Sequence, residues 1–307
     1  MIPMLRFSLL FEAEQELTVF GYRGSAWRGV FGHALKRLVC IWRERDCPRC
    51  LVARTCVYPY VFETPMVRVN EDREEASPHP FVLTLAAEWQ QRQIVQERVG
   101  VTLMGDGCTS WPYVLQALRE AGERGVGRES VPMRLRDIEQ ETQPGSGFWE
   151  SIWQEQEGVH PFEPRIPNAG PCPKILRLRL ETPVRLRLRQ QLVRPESLQP
   201  EQFLAAIERR VAVLTKLHAG RVARPEERSA ARWAERTREL DRRLHWQDWE
   251  RYSNRQKRKV PMGGIVGEWV WEVGENWDGW ALLWLSQWLH VGKGTSMGLG
   301  RFRVEAM

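Results

Sequence analysis

Five prolines fall within thirteen residues, at 161, 164, 167, 171 and 173 of GVHPFEPRIPNAGPCPK, and neither a helix nor a central strand can run through such a stretch. It predicts a division of the 307 residues into an N-terminal domain over 1–165 and a C-terminal domain over 174–307. One oversized domain is the alternative. Charge divides at nearly the same place. Lys and Arg number 45 against 39 Asp and Glu, a net +6, but residues 171–307 hold 26 basic and 16 acidic side chains while residues 1–170 hold 19 and 23. The second half is the expected polyanion binder.

From Lys174 to Arg189 the sequence KILRLRLETPVRLRLR sets Arg177, Arg179, Arg185, Arg187 and Arg189 on odd positions and Leu176, Leu178, Leu180, Leu186 and Leu188 on even ones. A period of two predicts a strand, or two joined at Pro183, with one face in the core and the other cationic. Phe203, Ile207, Val211, Leu214 and Leu217 then recur every three or four residues, which makes Gln199–Ala219 a helix facing a core. Ser229–Arg243 continues in helical style, a strand is allowed within Leu244–Tyr252, Val260–Val273 reads as a strand, Trp280–Leu289 as an apolar helix and Gly300–Glu305 as a closing strand. The first half repeats the order more faintly: strand Leu5–Leu17, helix Gly24–Trp42, strands Phe81–Leu85 and Val99–Leu103, helix Trp111–Arg119 and strand Pro132–Ile138, with loops at Glu71–Pro80 and Gly122–Ser130. The expected fold class is therefore α+β, two tandem ferredoxin-like domains.

An apolar share of 42% with 27% charged residues supports real cores and rules out wholesale disorder. The most apolar stretch, Ala281–Leu289, includes Ser286 and Gln287 and is about half the length of a membrane span. The N-terminus turns acidic where a secretory signal would carry small residues, so a cytoplasmic protein is expected. In that compartment cysteines bind metal more readily than they form disulfides. Cys40, Cys47, Cys50 and Cys56, spaced C-x6-C-x2-C-x5-C around the turn CPRC, could converge on the tetrahedron that zinc prefers; four reduced thiols without metal are the plainer alternative. Four thiolates leave no open position, so a zinc here would be structural. Cys108 and Cys172 have no partners in sequence.

On the helix from Gly24, the residues Trp27, Phe31, Ala34, Leu35, Leu38 and Trp42 form one apolar stripe, and His33 points almost opposite it with Lys36 and Arg37 as its i+3 and i+4 neighbours. His33 is a zinc ligand, a plain surface residue or a catalytic base. Cys40 lies too far along a straight helix to share an ion with it. The neighbouring cations favour the base, since they would also attract a phosphate. Tyr22, Arg23 and Arg28, around the first turns, could face the same anion. Of the other histidines, His290 ranks next because it abuts a glycine-rich loop, ahead of His218 and His245.

That loop, HVGKGTSMGLGRFRV, spaces Gly292, Gly294, Gly298 and Gly300 around Lys293 and Arg301, so backbone amides could approach a phosphate chain closely; a structural hairpin turn is the alternative. It is neither a P-loop, because Gly294 follows Lys293, nor the dinucleotide fingerprint, because position 297 is methionine. Upstream, RYSNRQKRKVPMGG places Arg251, Arg255, Lys257, Arg258 and Lys259 near Tyr252, Trp246 and Trp249. Basic residues interleaved with aromatics suit a nucleic-acid backbone with stacked bases, although such runs can also be solvated faces.

Three stretches, YRGSAWRGVFGHALKRLVC with the cysteines and VYPYVFETP, RYSNRQKRKVPMGGIVGEW, and LHVGKGTSMGLGRFRV, resemble the CRISPR-associated repeat-RNA-processing endoribonucleases, family six in CRISPR-associated nomenclature, within the RAMP superfamily. The resemblance implies two RAMP-type, RRM-like ferredoxin domains that bind the repeat of precursor CRISPR RNA and cut it once without a catalytic metal or other cofactor. It implies a histidine of the first domain, here His33, with Tyr22 and Lys36 as companions, assisting attack of a ribose 2′-hydroxyl. RNA contacts then fall to Arg23, Arg28, Arg37, Arg255, Lys257, Arg258, Lys259, Lys293 and Arg301. A non-cleaving RAMP subunit holding guide RNA in a CRISPR effector complex is the main rival, and a zinc-stabilised nucleotide-binding enzyme a third reading.

Overall fold

Alternating side chains build both sheets, and helices cover one face of each. The computed structural model describes residues 1–42, 47–64, 67–70, 73–75, 77–127, 130–154, 156–189, 191–221, 229–253 and 258–307. They form two compact units, one of Ile2–Ile166 with Leu217–Ala219, the other of Met1, Pro167–Lys216 and Gly220–Met307.

In the first unit, β1 (Met4–Val19) buries Phe7, Leu9, Phe11 and Ala13 at every second position. The helices α1 (Gly24–Val39) and α2 (Val57–Phe62) follow, then the hairpin β2 (Val67–Asn70) and β3 (Arg73–Glu75), the strands β4 (Phe81–Thr84) and β5 (Arg92–Met104), and α3 (Trp111–Glu123). β6 (Met133–Glu141), β7 (Trp149–Ser151) and the two-residue pair β8 (Trp153–Gln154) and β9 (Gly158–Val159) close it. The sheet runs β4-β5-β1-β6-β7, antiparallel throughout. The apolar stripe of α1 enters the core through Trp27, Phe31, Ala34 and Leu35, and α3 adds Val114, Leu115, Leu118 and Ala121.

The second unit begins with β10 (Ile175–Val184) and the short pair β11 (Arg187–Leu188) and β12 (Gln191–Leu192). After α4 (Pro200–His218) and α5 (Ala230–Glu235) come β13 (Thr237–Gln247), the hairpin β14 (Glu250–Ser253) and β15 (Arg258–Pro261), β16 (Gly264–Val273), α6 (Trp280–Leu289) and β17 (Phe302–Ala306). Its sheet order is β13-β16-β10-β17, again antiparallel. Counting the four main strands of each unit along the chain, both sheets read second, third, first, fourth: the ferredoxin-like order expected from sequence.

Four expectations are corrected. Ser229–Arg243 is helical only as α5; from Thr237 the chain is edge strand, because β16 needs a partner on that side and its polar run leaves outward positions in solvent. The loop read over Glu71–Pro80 contains β3, and that over Gly122–Ser130 begins inside α3. The exposed face of β10 is no cationic surface, since Glu268 and Glu305 on neighbouring strands sit 3.2 and 4.0 Å from Arg179, and Glu305 lies 4.0 Å from Arg177. Opposite charges directly across a sheet pair off.

Candidate active site

α1 has its buried stripe against the sheet, which leaves Gly29, His33 and Arg37 exposed on the opposite face with Lys36 half-buried beside them. The expected company of His33, Lys36 and Arg37 is thus present on one helix face. A second ridge of α1 packs on α2. The Arg28 guanidinium carbon lies 4.3 Å from the Phe62 ring centre and Lys36 Nζ lies 5.4 Å from that of Tyr58, and the two rings stack at 5.6 Å. The approach requires Gly32, since a Cβ there would meet Phe62 at 2.2 Å. Tyr58 Oη donates to Glu63 at 3.1 Å, and burial, then Glu63, pushes its phenol above the usual range.

Two residues expected at the site are elsewhere. Tyr22 is buried and stacks on Trp89 with ring centres 5.2 Å apart. Arg23 is buried as well, its Nε 2.9 Å from Glu97 Oε1 while Trp27 Nε1 donates to Glu97 Oε2 at 2.8 Å. An unpaired guanidinium cannot be buried cheaply, so Arg23 takes a carboxylate partner and anchors the start of α1. Arg28, over Phe62, also has Nη2 3.2 Å from His79 Nε2, while His79 Nδ1 is 3.1 Å from Thr64 Oγ1. Reading His79 Nε2 as the acceptor from Arg28 makes Nδ1–H the donor to Thr64. Nothing in the sequence singled out His79, which sits between prolines outside any periodic element.

The other histidines divide by burial. His290 is buried beneath the glycine loop with Nδ1 3.1 Å from the Leu299 carbonyl, and His218 is buried between Tyr60 Oη at 3.1 Å and the Pro78 carbonyl at 2.9 Å. His245 is exposed on edge strand β13. Cys108 is buried, which pushes its thiol up to about 12, while Cys172 is half-buried.

All four glycines of the C-terminal loop adopt positive φ, between 73° and 89°. Their role differs from the one read in sequence. The amides of Lys293, Gly298 and Gly300 already donate to the carbonyls of Arg185, Thr295 and Pro183, so those three do not await a phosphate. The glycines serve the turn's shape: a Cβ at Gly300 would fall 1.8 Å from the Val291 carbonyl oxygen. Arg301 is likewise engaged, with Nε 2.5 Å from Glu181, which also holds Arg303 at 2.9 Å. What the loop presents to solvent is Lys293.

The loop gathers further cations. Gly292 bridges to Arg185 just past β10, and Arg185 Nη1 donates to the Gly263 carbonyl at 2.8 Å, where β15 passes into β16. Burial and then neighbouring Arg187 lower the affinity of Arg185 for its proton. Arg187 is exposed on β11. Because β10, β13, β16 and β17 are antiparallel neighbours, the glycine loop, the β11–β12 pair and the basic β14–β15 hairpin all leave the same end of the sheet. Among the described residues no carboxylate pairs with Arg185, Arg187 or Lys293. Arg258 and Lys259 are exposed on β15, Lys259 lying 3.6 Å from Glu250; Arg255 and Lys257 lie outside the described residues.

Cys40, Cys47, Cys50 and Cys56 all line one pocket after α1. Among the described residues no three or more His, Cys, Asp or Glu side chains stand in an array ready to hold a metal ion. Among them, too, no helix is long and apolar enough to cross a membrane.

Both units thus have the ferredoxin-like strand order, and the second carries a glycine-rich loop with cations beside it. Residues 178–302 match the family model described as CRISPR-associated endoribonuclease Cas6, and residues 2–165 match a model described as an N-terminal domain. The chain is thus similar to the Cas6 endoribonuclease family over its residues 178–302. Its fold is shared with a Cas6 product complex (TM-score 0.56, 20% identity, 100% of both chains covered) and with Thermus thermophilus Cas6 (0.55, 14%, 99% of each). A partial Cas6-RT-Cas1–Cas2 complex is similar over 100% of this chain and 46% of that one, at a TM-score of 0.55 and 13% identity. No curated protein matches the sequence.

Proposed function

We propose that the protein binds the repeat of precursor CRISPR RNA and cuts it by attack of a ribose 2′-hydroxyl on the adjacent phosphate, leaving a 2′,3′-cyclic phosphate and a 5′-hydroxyl. The observation that carries this reading is the exposed imidazole of His33 sharing one face of α1 with Lys36 and Arg37, in a chain whose residues 178–302 match an endoribonuclease family model. His33 takes the 2′-hydroxyl proton, and the two cations offset the charge that builds on phosphorus. Metal-dependent cutting would call for several carboxylates converging on the ions; the acidic side chains near α1, Glu63 and Glu97, are held by Tyr58, and by Arg23 and Trp27. RNA affinity comes from the cationic end of the second sheet, Arg185, Arg187, Lys293 and the β14–β15 hairpin. Similar structures named as a Cas6 product complex and a substrate mimic complex support an RNA substrate.

Incubation of the purified protein with labelled repeat RNA in EDTA tests the reading. Cleavage with cyclic-phosphate ends is expected. Bound but intact RNA would mark the chain as a guide-RNA-holding subunit instead.

A further inference from the structure

The proposed function leaves the four cysteines without a role. Cys40 follows the last residue of α1, Cys56 precedes the first of α2, and Cys47 and Cys50 bracket the turn between, closed by a Cys50 N–H donating to the Cys47 carbonyl at 3.1 Å. All four line one pocket of about 20 Å³, whose other walls include Val39, Trp42, Ala53 and Pro59. That is room for one water-sized body. A water there would find thiols, which are weak partners, whereas a lining that includes four cysteines suits a soft ion.

We propose that this pocket is a four-thiolate zinc site that clasps the end of α1 to the start of α2. On binding, four S–H bonds give way to four Zn–S bonds and four protons pass to solvent, leaving a centre of charge −2. Exposed Arg49 and Arg54, within the same segment, offset that charge. Among the described residues these side chains do not stand in a coordinating array, so loading must draw the four thiolates together, metal binding and local ordering being one event. With no open coordination position the ion takes no part in chemistry. It fixes the pose of the two helices, and so the Tyr58 and Phe62 rings beneath Lys36 and Arg28.

Metal content of the full-length protein, purified without chelator, tests the site. About one equivalent of zinc per chain is expected, and replacement by cobalt should give the thiolate-to-metal absorption of a tetrahedral site. Cys47→Ser with Cys50→Ser should retain less than about a tenth of that zinc, while Cys108→Ser with Cys172→Ser retains it all. Should the first pair fail to fold, Cys47→His, which keeps a ligand, should still load zinc. Metal-free protein that gives no cobalt signal, native disulfides among these cysteines by mass spectrometry, or zinc retained in the Cys47/Cys50 variant would each overturn the proposal. None of these readouts is cleavage, so this inference and the nuclease reading stand or fall separately.

Discussion

His33 and Gly32 are adjacent yet answer to different forces. Gly32 is set by packing: its missing Cβ makes room for Phe62, which sits between Arg28 and the core at Phe31 and Phe81. Gly32→Ala must displace an aromatic ring that is itself packed, at an expected cost of about 1–3 kcal/mol. Thermal unfolding checks this, and the cost should shrink in a Phe62→Leu background if the clash is its source. His33 is exposed and outside the core, so the role proposed for it is chemical and not structural. His33→Ala should therefore leave unfolding unchanged and lower the single-turnover cleavage rate by about 10²–10⁴-fold, the usual range for a lost general base. RNA affinity should move by less than about twofold, since one exposed side chain adds little to a phosphate-dominated interface. Full activity in that variant would move the search to His79, beside Arg28.

At the scale of elements, period-two and period-3.6 patterns revealed most of the main strands and helices, because burial on one face is a repeated local constraint. Trp280–Leu289 matches α6 at both ends. Patterning failed where the outward face decides: Thr237–Gln247 reads equally as a polar helix face or an edge strand, and only the vacant side of β16 makes it β13. The same blindness touched the site. Arg177 and Arg179 look like Arg187 in sequence, but the first two face Glu268 and Glu305 across the sheet while Arg187 lies past its end. Arg23 looked free until β5 brought Glu97 to it. Pairing across strands is non-local and leaves no mark in the spacing. It has a measurable consequence. Arg187→Ala with Lys293→Ala should weaken repeat-RNA binding and lower the slope of log K against log salt by about 0.7 per lost contact, whereas Arg177→Ala with Arg179→Ala should leave the slope within about 0.2 of wild type. Filter binding across a salt series distinguishes them, and equal effects would return the β10 face to the RNA.

The whole molecule combines one unit with an exposed imidazole beside cations and another in which, among the described residues, Arg185, Arg187 and Lys293 meet no carboxylate around a glycine turn, and the proposed reading gives chemistry to the first and grip to the second. If so, the two should fail independently. A repeat RNA carrying 2′-deoxyribose only at the cut should bind as the native RNA does, since phosphates supply most of the affinity, yet remain whole, since its nucleophile is gone. The effect on rate should exceed that of His33→Ala: removing a base slows a proton transfer, while removing the attacking oxygen removes the reaction. Competition binding and denaturing gels measure the two halves of this statement on one substrate. Cutting of the deoxy substrate, or fragments bearing 5′-phosphates, would mean that water attacks the phosphorus, and the role given to His33 would have to be drawn again for a different nucleophile.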